Sequence, residues 1–318
     1  MKSLKEFFIP KNYDEELPDL KKTCFSWQMS FSSKTDLATT GQITHYAVNG
    51  DAPRGNLVLV PGLASNTEIE PLMRAVTYWS LKHKYNIYAL DTFLGDFQSE
   101  KSVDLAARNT MPEYINLIDA GFEIVSKMSA GQWACVVGHS LGGIGTLEVF
   151  NRRVSQNKPL GFSGSILFAP YLTKEWCDFS KWFMKHRQYP DVSDEEYNQS
   201  PIGLVSPHDV YYSGACRYVS LYPGFYDDIV ALKPRPDLMA QYDIPVTLVA
   251  GGMDRKSPIE YIRDIYDETR ILSKNKKIKF VEFPTGRHSF IDQYSDWASI
   301  LRLIKTQYQS AIKRGKTK

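Results

Sequence analysis

The sequence has almost no excess of charge of either sign. Its 318 residues include 38 lysines and arginines and 36 aspartates and glutamates, which gives a net charge of +2. Proteins that bind nucleic acid usually carry a concentrated basic face. Here the basic residues cluster only in two short runs, at 274–279 and 313–318, which we interpret as solvated surface. The composition therefore gives no reason to expect a nucleic-acid partner.

The sequence also lacks long apolar runs. A helix that crosses a bilayer needs about 18 or more consecutive apolar residues, and no such stretch occurs. The N-terminal region has only a three-residue apolar run, at 7–9, before Pro10, which is shorter than a secretory signal requires. We therefore expect a soluble cytoplasmic protein with no transmembrane segment.

Cysteine is scarce, and its spacing is not that of a metal site. The four residues Cys24, Cys135, Cys177 and Cys216 form no Cys-x-x-Cys pair and no Cys/His ligand pattern. Cys135 lies within an apolar run, where it is expected to pack as a small hydrophobe. We predict free thiols in a reducing compartment. The sequence implies neither a metal nor an organic cofactor.

Apolar runs alternate with segments of helical periodicity. Residues 24–31 alternate apolar and polar side chains, which predicts a half-buried strand, expected to pair with 42–48 as an antiparallel hairpin at the sheet edge. Continuous apolar runs predict strands covered on both faces at 56–60, 85–90, 133–137, 165–169, 245–250 and 278–283. Helices are predicted at 69–81, 111–128, 141–154, 259–272 and 297–311. This order predicts an α/β fold with a doubly wound, mostly parallel sheet.

One interval breaks this alternation. About seventy residues separate Pro170 from the strand that begins at Pro245, far more than a βαβ connection needs. Residues 171–226 contain thirteen aromatic side chains, too many for a solvated loop. We predict a core formed by residues 1–170 and 241–318, with residues 171–240 inserted after the sixth strand as a lid or cap.

The end of the fifth predicted strand carries the sequence Gly-His-Ser-Leu-Gly at 138–142. This is the Gly-x-Ser-x-Gly pattern of a nucleophile elbow, in which a serine occupies a sharp turn from strand to helix. Glycines on both sides let the neighbouring backbone pass close to the turn. Because a strand precedes the motif and a helix follows it, Ser140 is the predicted nucleophile.

Two later strand ends carry a candidate acid and a candidate base. Asp254 follows the strand that ends at Ala250, and a carboxylate there could orient a histidine ring or serve only as a helix N-cap. His288 follows the last strand, and an imidazole that titrates near neutral pH suits a general base. The chain order Ser140, Asp254, His288 predicts a catalytic triad. His139 is expected to pack or form a hydrogen bond behind the elbow.

Backbone amides are the expected donors to an oxyanion. Leu141 follows the nucleophile, and its N–H group is one candidate. The second candidate lies in the loop after the strand at 56–60, where Leu63 is preferred and Ala64 is the alternative.

These motifs resemble those of the α/β-hydrolase superfamily, in its lidded esterase, lipase and thioesterase branch. The similarity runs from about residue 24 to the C-terminus, apart from the insertion, and rests on GHSLGG at 138–143, GGMD at 251–254 and GRHSF at 286–290. The resemblance implies an eight-stranded core sheet, with Ser140 as nucleophile, Asp254 as acid and His288 as base.

The sequence departs from that family pattern in two loops. Many members have His-Gly before the oxyanion donor, whereas this chain has Pro61-Gly62. The loop at 91–95 looks like the one after the fourth strand, yet it lacks the Gly-x-Ser ending of many relatives. A serine at the elbow argues against the haloalkane dehalogenase and epoxide hydrolase branches, which use aspartate there.

The expected substrate is a small-molecule acyl ester or thioester. Candidate substrate contacts are an amide-loop residue and four aromatic residues of the predicted cap: Ala64, Tyr171, Trp176, Trp182 and Tyr211. Most cap aromatics are expected to form the cap's own core and its contact with the main domain.

The predicted reaction is hydrolysis through an acyl-enzyme. One alternative is an acyltransferase or thioesterase with the same triad, in which the cap admits an alcohol or thiol in place of water. A second is a hydrolase-fold protein that only binds its ligand. Such proteins often lose the serine or the histidine, and this chain has both.

Overall fold

The computed structural model describes residues 20–30, 38–48, 53–63, 71–92, 104, 110–129, 131–170, 221–222, 224–252, 254, 257–273, 277–284, 286, 288, 302–306 and 309.

Eight strands and six helices make up most of the described fold. The strands are β1 Leu20–Ser30, β2 Ala38–Val48, β3 Gly55–Val60, β4 Tyr85–Asp91, β5 Ala134–His139, β6 Gly164–Phe168, β7 Val246–Gly251 and β8 Ile278–Phe283. The helices are α1 Pro71–Lys82, α2 Met111–Met128, α3 Ser140–Ser155, α4 Phe225–Ala231, α5 Pro236–Met239 and α6 Ile259–Leu272. Residues 302–306 are also helical, within the segment predicted at 297–311.

The strands form one sheet in the order β1-β2-β4-β3-β5-β6-β7-β8. The pairs β1·β2 and β2·β4 are antiparallel, and all the others are parallel. The predicted doubly wound, mostly parallel sheet of eight strands is therefore confirmed. Because the chain runs from β3 outward to β4 on one side and later to β5 on the other, the strand order reverses at β3. In open α/β sheets, ligands bind beyond the carboxyl ends of the strands at such a reversal.

Both faces of the central strands are covered. All six residues of β3 are buried, as its continuous apolar run predicts. Val58 and Val60 belong to the hydrophobic cluster that includes residues of α2 and α3. Leu57 and Leu59 belong to the cluster on the other face, with residues of α1. Alternate side chains of a strand point to opposite faces, so one short strand anchors both layers of helices.

The N-terminus of helix α2 is stabilised by contacts within its own sequence. Thr110 precedes the helix, and its backbone N–H group donates to the side chain of Glu113, three residues on. This is half of a capping box, in which the third helical residue satisfies a donor before the first turn. Pro112 lies in that first turn, where its missing N–H group is not needed.

The N-terminal hairpin is less buried than its alternating pattern predicts. Trp27 packs against the core, and its register partner Gly41 leaves room for the indole, because a Cβ there would lie 2.2 Å from the ring. Phe25 points to the same side but remains 39% exposed. Strand β1 is the edge of the sheet, and of its residues only Leu20 and Trp27 pack against the two described core clusters.

The end of the predicted cap packs on the core. Phe225 and Ile229 of α4, with Met239 of α5, are buried in the same cluster as Phe150 of α3. Tyr242 follows α5 and donates a hydrogen bond to the side chain of Asn151 at 2.7 Å. Residues 171–220 lie outside the described residues, and the division of the chain at 170 and 241 remains a prediction.

Within the described ranges, no helix combines the length and the apolar character needed to cross a bilayer.

Candidate active site

Ser140 lies on a tight turn between β5 and α3. It is the first residue of the helix. Its backbone φ of +51° is in the left-handed region, which residues other than glycine rarely adopt. Gly142 is needed because a Cβ there would lie 2.3 Å from the carbonyl oxygens of both Val60 and Pro61. A Cβ on Gly138 would lie 3.0 Å from the carbonyl oxygen of Gly142, so glycine there relieves a tight contact within the turn. The two glycines of the motif therefore let the strand, the turn and the loop after β3 meet.

The structure brings the side chains of Ser140, Asp254 and His288 together. His288 Nδ1 lies 2.8 Å from Asp254 Oδ2, and His288 Nε2 lies 2.9 Å from Ser140 Oγ. Both Asp254 and His288 are buried, at 5% and 8% exposure. An ionised carboxylate only accepts hydrogen bonds, so Nδ1 donates to it. The lone pair of Nε2 then faces the hydroxyl of Ser140, which donates its proton.

Parallel pairing of β7 and β8 sets the loops that carry the predicted acid and base side by side. Gly251 and Phe283 are register partners at the ends of these strands. The N–H groups of Gly252 and Gly286 both donate to the carbonyl of Phe283 at 2.8 Å. A Cβ on Gly252 would lie 2.4 Å from the carbonyl oxygen of Pro284, so this close approach requires glycine.

Ser257, which the sequence analysis does not single out, holds the carboxylate from its other side. Its backbone N–H group donates to Asp254 Oδ1 at 3.0 Å, so both carboxylate oxygens accept hydrogen bonds. The Ser257 hydroxyl donates to the carbonyl of Ala169, just past β6, at 3.1 Å. Asp254 thus makes the N-cap type of contact, to an N–H group three residues on, and also contacts His288. The sequence signal for this contact is the Asp-x-x-Ser spacing, because an aspartate commonly accepts a hydrogen bond from the N–H group three residues later.

His139 makes the hydrogen bond expected of it behind the elbow. Its Nε2 lies 2.7 Å from the backbone carbonyl of His288, and its side chain is buried. The two imidazole rings lie 5.0 Å apart between centroids, with an interplanar angle of 47°. Of the other histidines, His45 stacks on Tyr88 at 4.4 Å, away from the strand ends.

The loop after β3 reaches the elbow. A Cβ on Gly62 would lie 3.2 Å from Ser140 Cβ and 3.5 Å from the carbonyl oxygen of His139. The next residue, Leu63, is partly buried against the core, and Leu141 is 4% exposed at the start of α3. Both predicted amide donors therefore lie in segments that flank Ser140.

Five predicted contact residues fall outside the described part of the chain. They are Ala64, Tyr171, Trp176, Trp182 and Tyr211. Within the described part, no cluster of three or more His, Cys, Asp or Glu side chains could hold a metal ion.

Solved structures with a similar fold are α/β-hydrolases. Brefeldin A esterase, a bacterial homologue of human hormone-sensitive lipase, has a TM-score of 0.60 at 12% identity, over 94% of this chain and 78% of its own. The peroxisomal α/β-hydrolase Lpx1 of Saccharomyces cerevisiae has a TM-score of 0.59 at 13% identity, over 93% and 90%. The thioesterase domain from the curacin biosynthetic pathway has a TM-score of 0.50 at 14% identity, over 89% and 99%. No protein-family model matches the sequence, and a search of curated proteins finds no significant match.

The strand order of the sheet and the similarity to solved structures indicate the same fold. In the eight-stranded sheet β2 alone runs opposite to the other seven strands, and the chain aligns with brefeldin A esterase over 94% of its length and with Lpx1 over 93%. The chain has the α/β-hydrolase fold.

Proposed function

We propose that the protein is a serine hydrolase that cleaves a carboxylic ester or thioester through an acyl-enzyme. The observation that carries this proposal is the pair of contacts made by His288, at 2.9 Å to Ser140 Oγ and 2.8 Å to Asp254 Oδ2. A serine hydroxyl is a weak nucleophile until an adjacent base removes its proton. Here the base is within hydrogen-bond reach, and a carboxylate fixes its tautomer.

In the first half-reaction, Ser140 Oγ attacks the substrate carbonyl carbon while its proton moves to His288 Nε2. The imidazolium that results is stabilised by Asp254 through the Nδ1–H group. The carbon–oxygen or carbon–sulfur bond to the leaving group then breaks, and Nε2–H protonates that group as it departs. The acyl group remains on Ser140.

In the second half-reaction, water attacks the acyl carbon. His288 takes a proton from the water, and Ser140 Oγ leaves with that proton as the free acid forms. The base thus returns to its starting state, and the cycle needs no redox step.

The developing oxyanion is stabilised by backbone donors in this proposal. The N–H groups of Leu141 and Leu63 are assigned to it, because their segments flank Ser140. A donor of this kind contributes about 3–4 kcal/mol to the transition state. Ser140 also begins helix α3, so the positive end of the helix dipole lies beside the developing charge.

The substrate pocket is proposed to lie under residues 171–220. The described residues at both ends of this interval support that placement. Pro170 packs against the elbow helix, because a Cβ on Gly143 would lie 3.0 Å from its Cα. At the other end, the Tyr222 hydroxyl accepts a hydrogen bond from the N–H group of Met111, where α2 begins, at 3.1 Å. Both ends therefore meet the core at the carboxyl edge of the sheet.

A cytoplasmic location is also proposed. The two described cysteines carry free thiols, Cys24 at the surface and Cys135 in the core, and such thiols fit a reducing compartment.

Activity-based labelling tests the proposed reaction. A fluorophosphonate should modify Ser140 of the folded protein, as read by mass spectrometry of the peptide that contains it. The labelling should be lost in the His288→Ala variant. A panel of nitrophenyl esters and acyl-CoA thioesters then separates the two substrate classes by kcat/KM. A folded protein that is not labelled at Ser140 and turns over neither panel would contradict the proposal.

A further inference from the structure

His139 connects the segment that carries the nucleophile with the segment that carries the base. It is the last residue of β5 and directly precedes Ser140. Its side chain is 5% exposed, and its Nε2 lies 2.7 Å from the backbone carbonyl oxygen of His288. The proposed reaction does not use this buried, titratable side chain.

The hydrogen bond has only one possible direction. A carbonyl oxygen accepts, so Nε2 of His139 must carry the hydrogen and donate it. The bond therefore anchors the main chain of His288, while Asp254 anchors its ring through Nδ1. One anchor leaves a side chain free to pivot, whereas an anchor at each end fixes where Nε2 of His288 points.

His139 is itself held on several sides. Its backbone belongs to β5 and is in register with Phe168 of β6. A Cβ on Gly62 would lie 3.6 Å from its Nδ1, so the ring borders the loop that carries Leu63. On the far side, its ring lies against that of His288. The residue therefore lies between the amide loop and the base.

We propose that His139 is a positioning residue for catalysis, which sets the direction of the His288 ring by donating a hydrogen bond to its backbone carbonyl. This inference rests on the proposed function, because the ring is positioned for proton transfer from Ser140. His139 touches neither the reacting atoms nor, in this proposal, the substrate.

The expected effect is on turnover rather than on substrate binding. A misplacement of about 1 Å in catalytic geometry costs up to about 10²-fold in rate. Removal of the donor should therefore lower kcat about 10- to 100-fold, with KM within about twofold of the wild-type value, since KM depends on contacts elsewhere.

Two substitutions at position 139 separate the donor from the bulk of the ring. His139→Leu keeps a side chain of similar volume and removes the donor. His139→Gln places an amide N–H group near the position of Nε2, so it should recover most of the lost kcat. Val137→Ala is the matched control: Val137 lies two residues earlier in β5 and is buried in the core. It should lower Tm while leaving kcat near wild type at a temperature well below Tm.

A spectroscopic readout makes the test independent of turnover. The Nδ1–H proton of His288, hydrogen-bonded to Asp254, should give a low-field signal in the NMR spectrum of the wild-type protein. In His139→Leu this signal should shift and broaden, and in His139→Gln it should return toward its wild-type position.

The outcomes separate this inference from the proposed function. If wild type is active and His139→Leu changes neither kcat nor the Nδ1–H signal, the inference is wrong. Equal losses of kcat in the Leu and Gln variants would also overturn it, because the donor would not be the cause. If wild type neither turns over the ester and thioester panel nor reacts with fluorophosphonate, the proposed function fails. A shift of the signal in His139→Leu with recovery in His139→Gln would then still support the positioning of His288.

Discussion

Substitution of Gly142 by alanine tests the contact between the elbow and the loop after β3. The added Cβ would lie 2.3 Å from the carbonyl oxygens of Val60 and Pro61, whereas real Cβ contacts essentially never fall below 3.0 Å. Both oxygens belong to the backbone and cannot rotate away. The loop or the helix must therefore shift by at least about 0.7 Å, the difference between those two distances.

Two opposing free-energy terms set the effect on stability. Alanine is a better helix former than glycine by up to about 1 kcal/mol. Overpacking of a rigid site costs about 1–3 kcal/mol. We expect the cost of overpacking to exceed the gain in helix propensity, with a net loss of as much as about 2 kcal/mol in the free energy of unfolding. With an unfolding entropy of about 2.1 cal/mol/K per residue, each kcal/mol lowers the Tm of a 318-residue chain by about 1.5 °C.

The effect on activity should be larger than the effect on stability. The displaced loop carries Leu63, and a displacement near 1 Å costs up to about 10²-fold in rate. The assay is kcat/KM for a short nitrophenyl ester well below Tm, with Tm measured by circular dichroism. A Gly142→Ala variant that is more stable than wild type and equally active would refute the inference that the loop after β3 requires glycine at position 142.

Gly145→Ala is the matched control for that substitution. Gly145 lies in the same helix, and its nearest neighbour is Ile118 Cδ1, at 2.7 Å from the added Cβ. This atom is the tip of a side chain on α2, which can rotate, and it is remote from the loop after β3. We expect kcat/KM within about twofold of wild type.

Two further predictions concern the acid and a histidine outside the site. In Asp254→Asn, the amide oxygen should accept from the Ser257 N–H group and the amide N–H should face His288 Nδ1. The ring is then held in the wrong tautomer, so kcat should fall by about 10⁴-fold, as measured by ester turnover, and a loss below tenfold would contradict this role. Burial lowers the pKa of His45 below its usual 6.5, so the folded state binds fewer protons than the unfolded state and stability falls as pH drops through 6.5. His45→Phe keeps a ring on Tyr88, and urea unfolding between pH 7.5 and 5.5 should show a smaller loss of stability than in wild type; an equal loss would refute the assignment.

Local pattern predicts most of the sheet because central strands are covered on both faces. The run at 56–60 is apolar throughout, and the structure places a strand at Gly55–Val60. The order of the three motifs after β5, β7 and β8 is also readable, since parallel strands end at one edge of the sheet. The catalytic roles assigned to Ser140, Asp254 and His288 remain part of the proposal.

Other features depend on tertiary contacts that local pattern does not contain. The short helices Phe225–Ala231 and Pro236–Met239 were not predicted, because four to seven residues give too little periodicity. Their burial depends on the helices that they contact, α2 for the first and α3 and α6 for the second. The bonds of Ser257 to Ala169 and of His139 to His288 join residues 88 and 149 positions apart. Phe25 is more exposed than its alternating strand predicts, because exposure at an edge depends on which helices cover it.

The central claim is that Ser140 and His288 act as one catalytic unit. The most direct measurement is kcat/KM toward a short ester for Ser140→Ala, His288→Ala and the double variant, with folding checked by circular dichroism. Each single variant should lose several orders of magnitude and retain at most about 10³–10⁴-fold over water from binding and the oxyanion donors. The double variant should fall hardly further, because each substitution alone already disables the unit. Near wild-type activity in Ser140→Ala would contradict the serine mechanism.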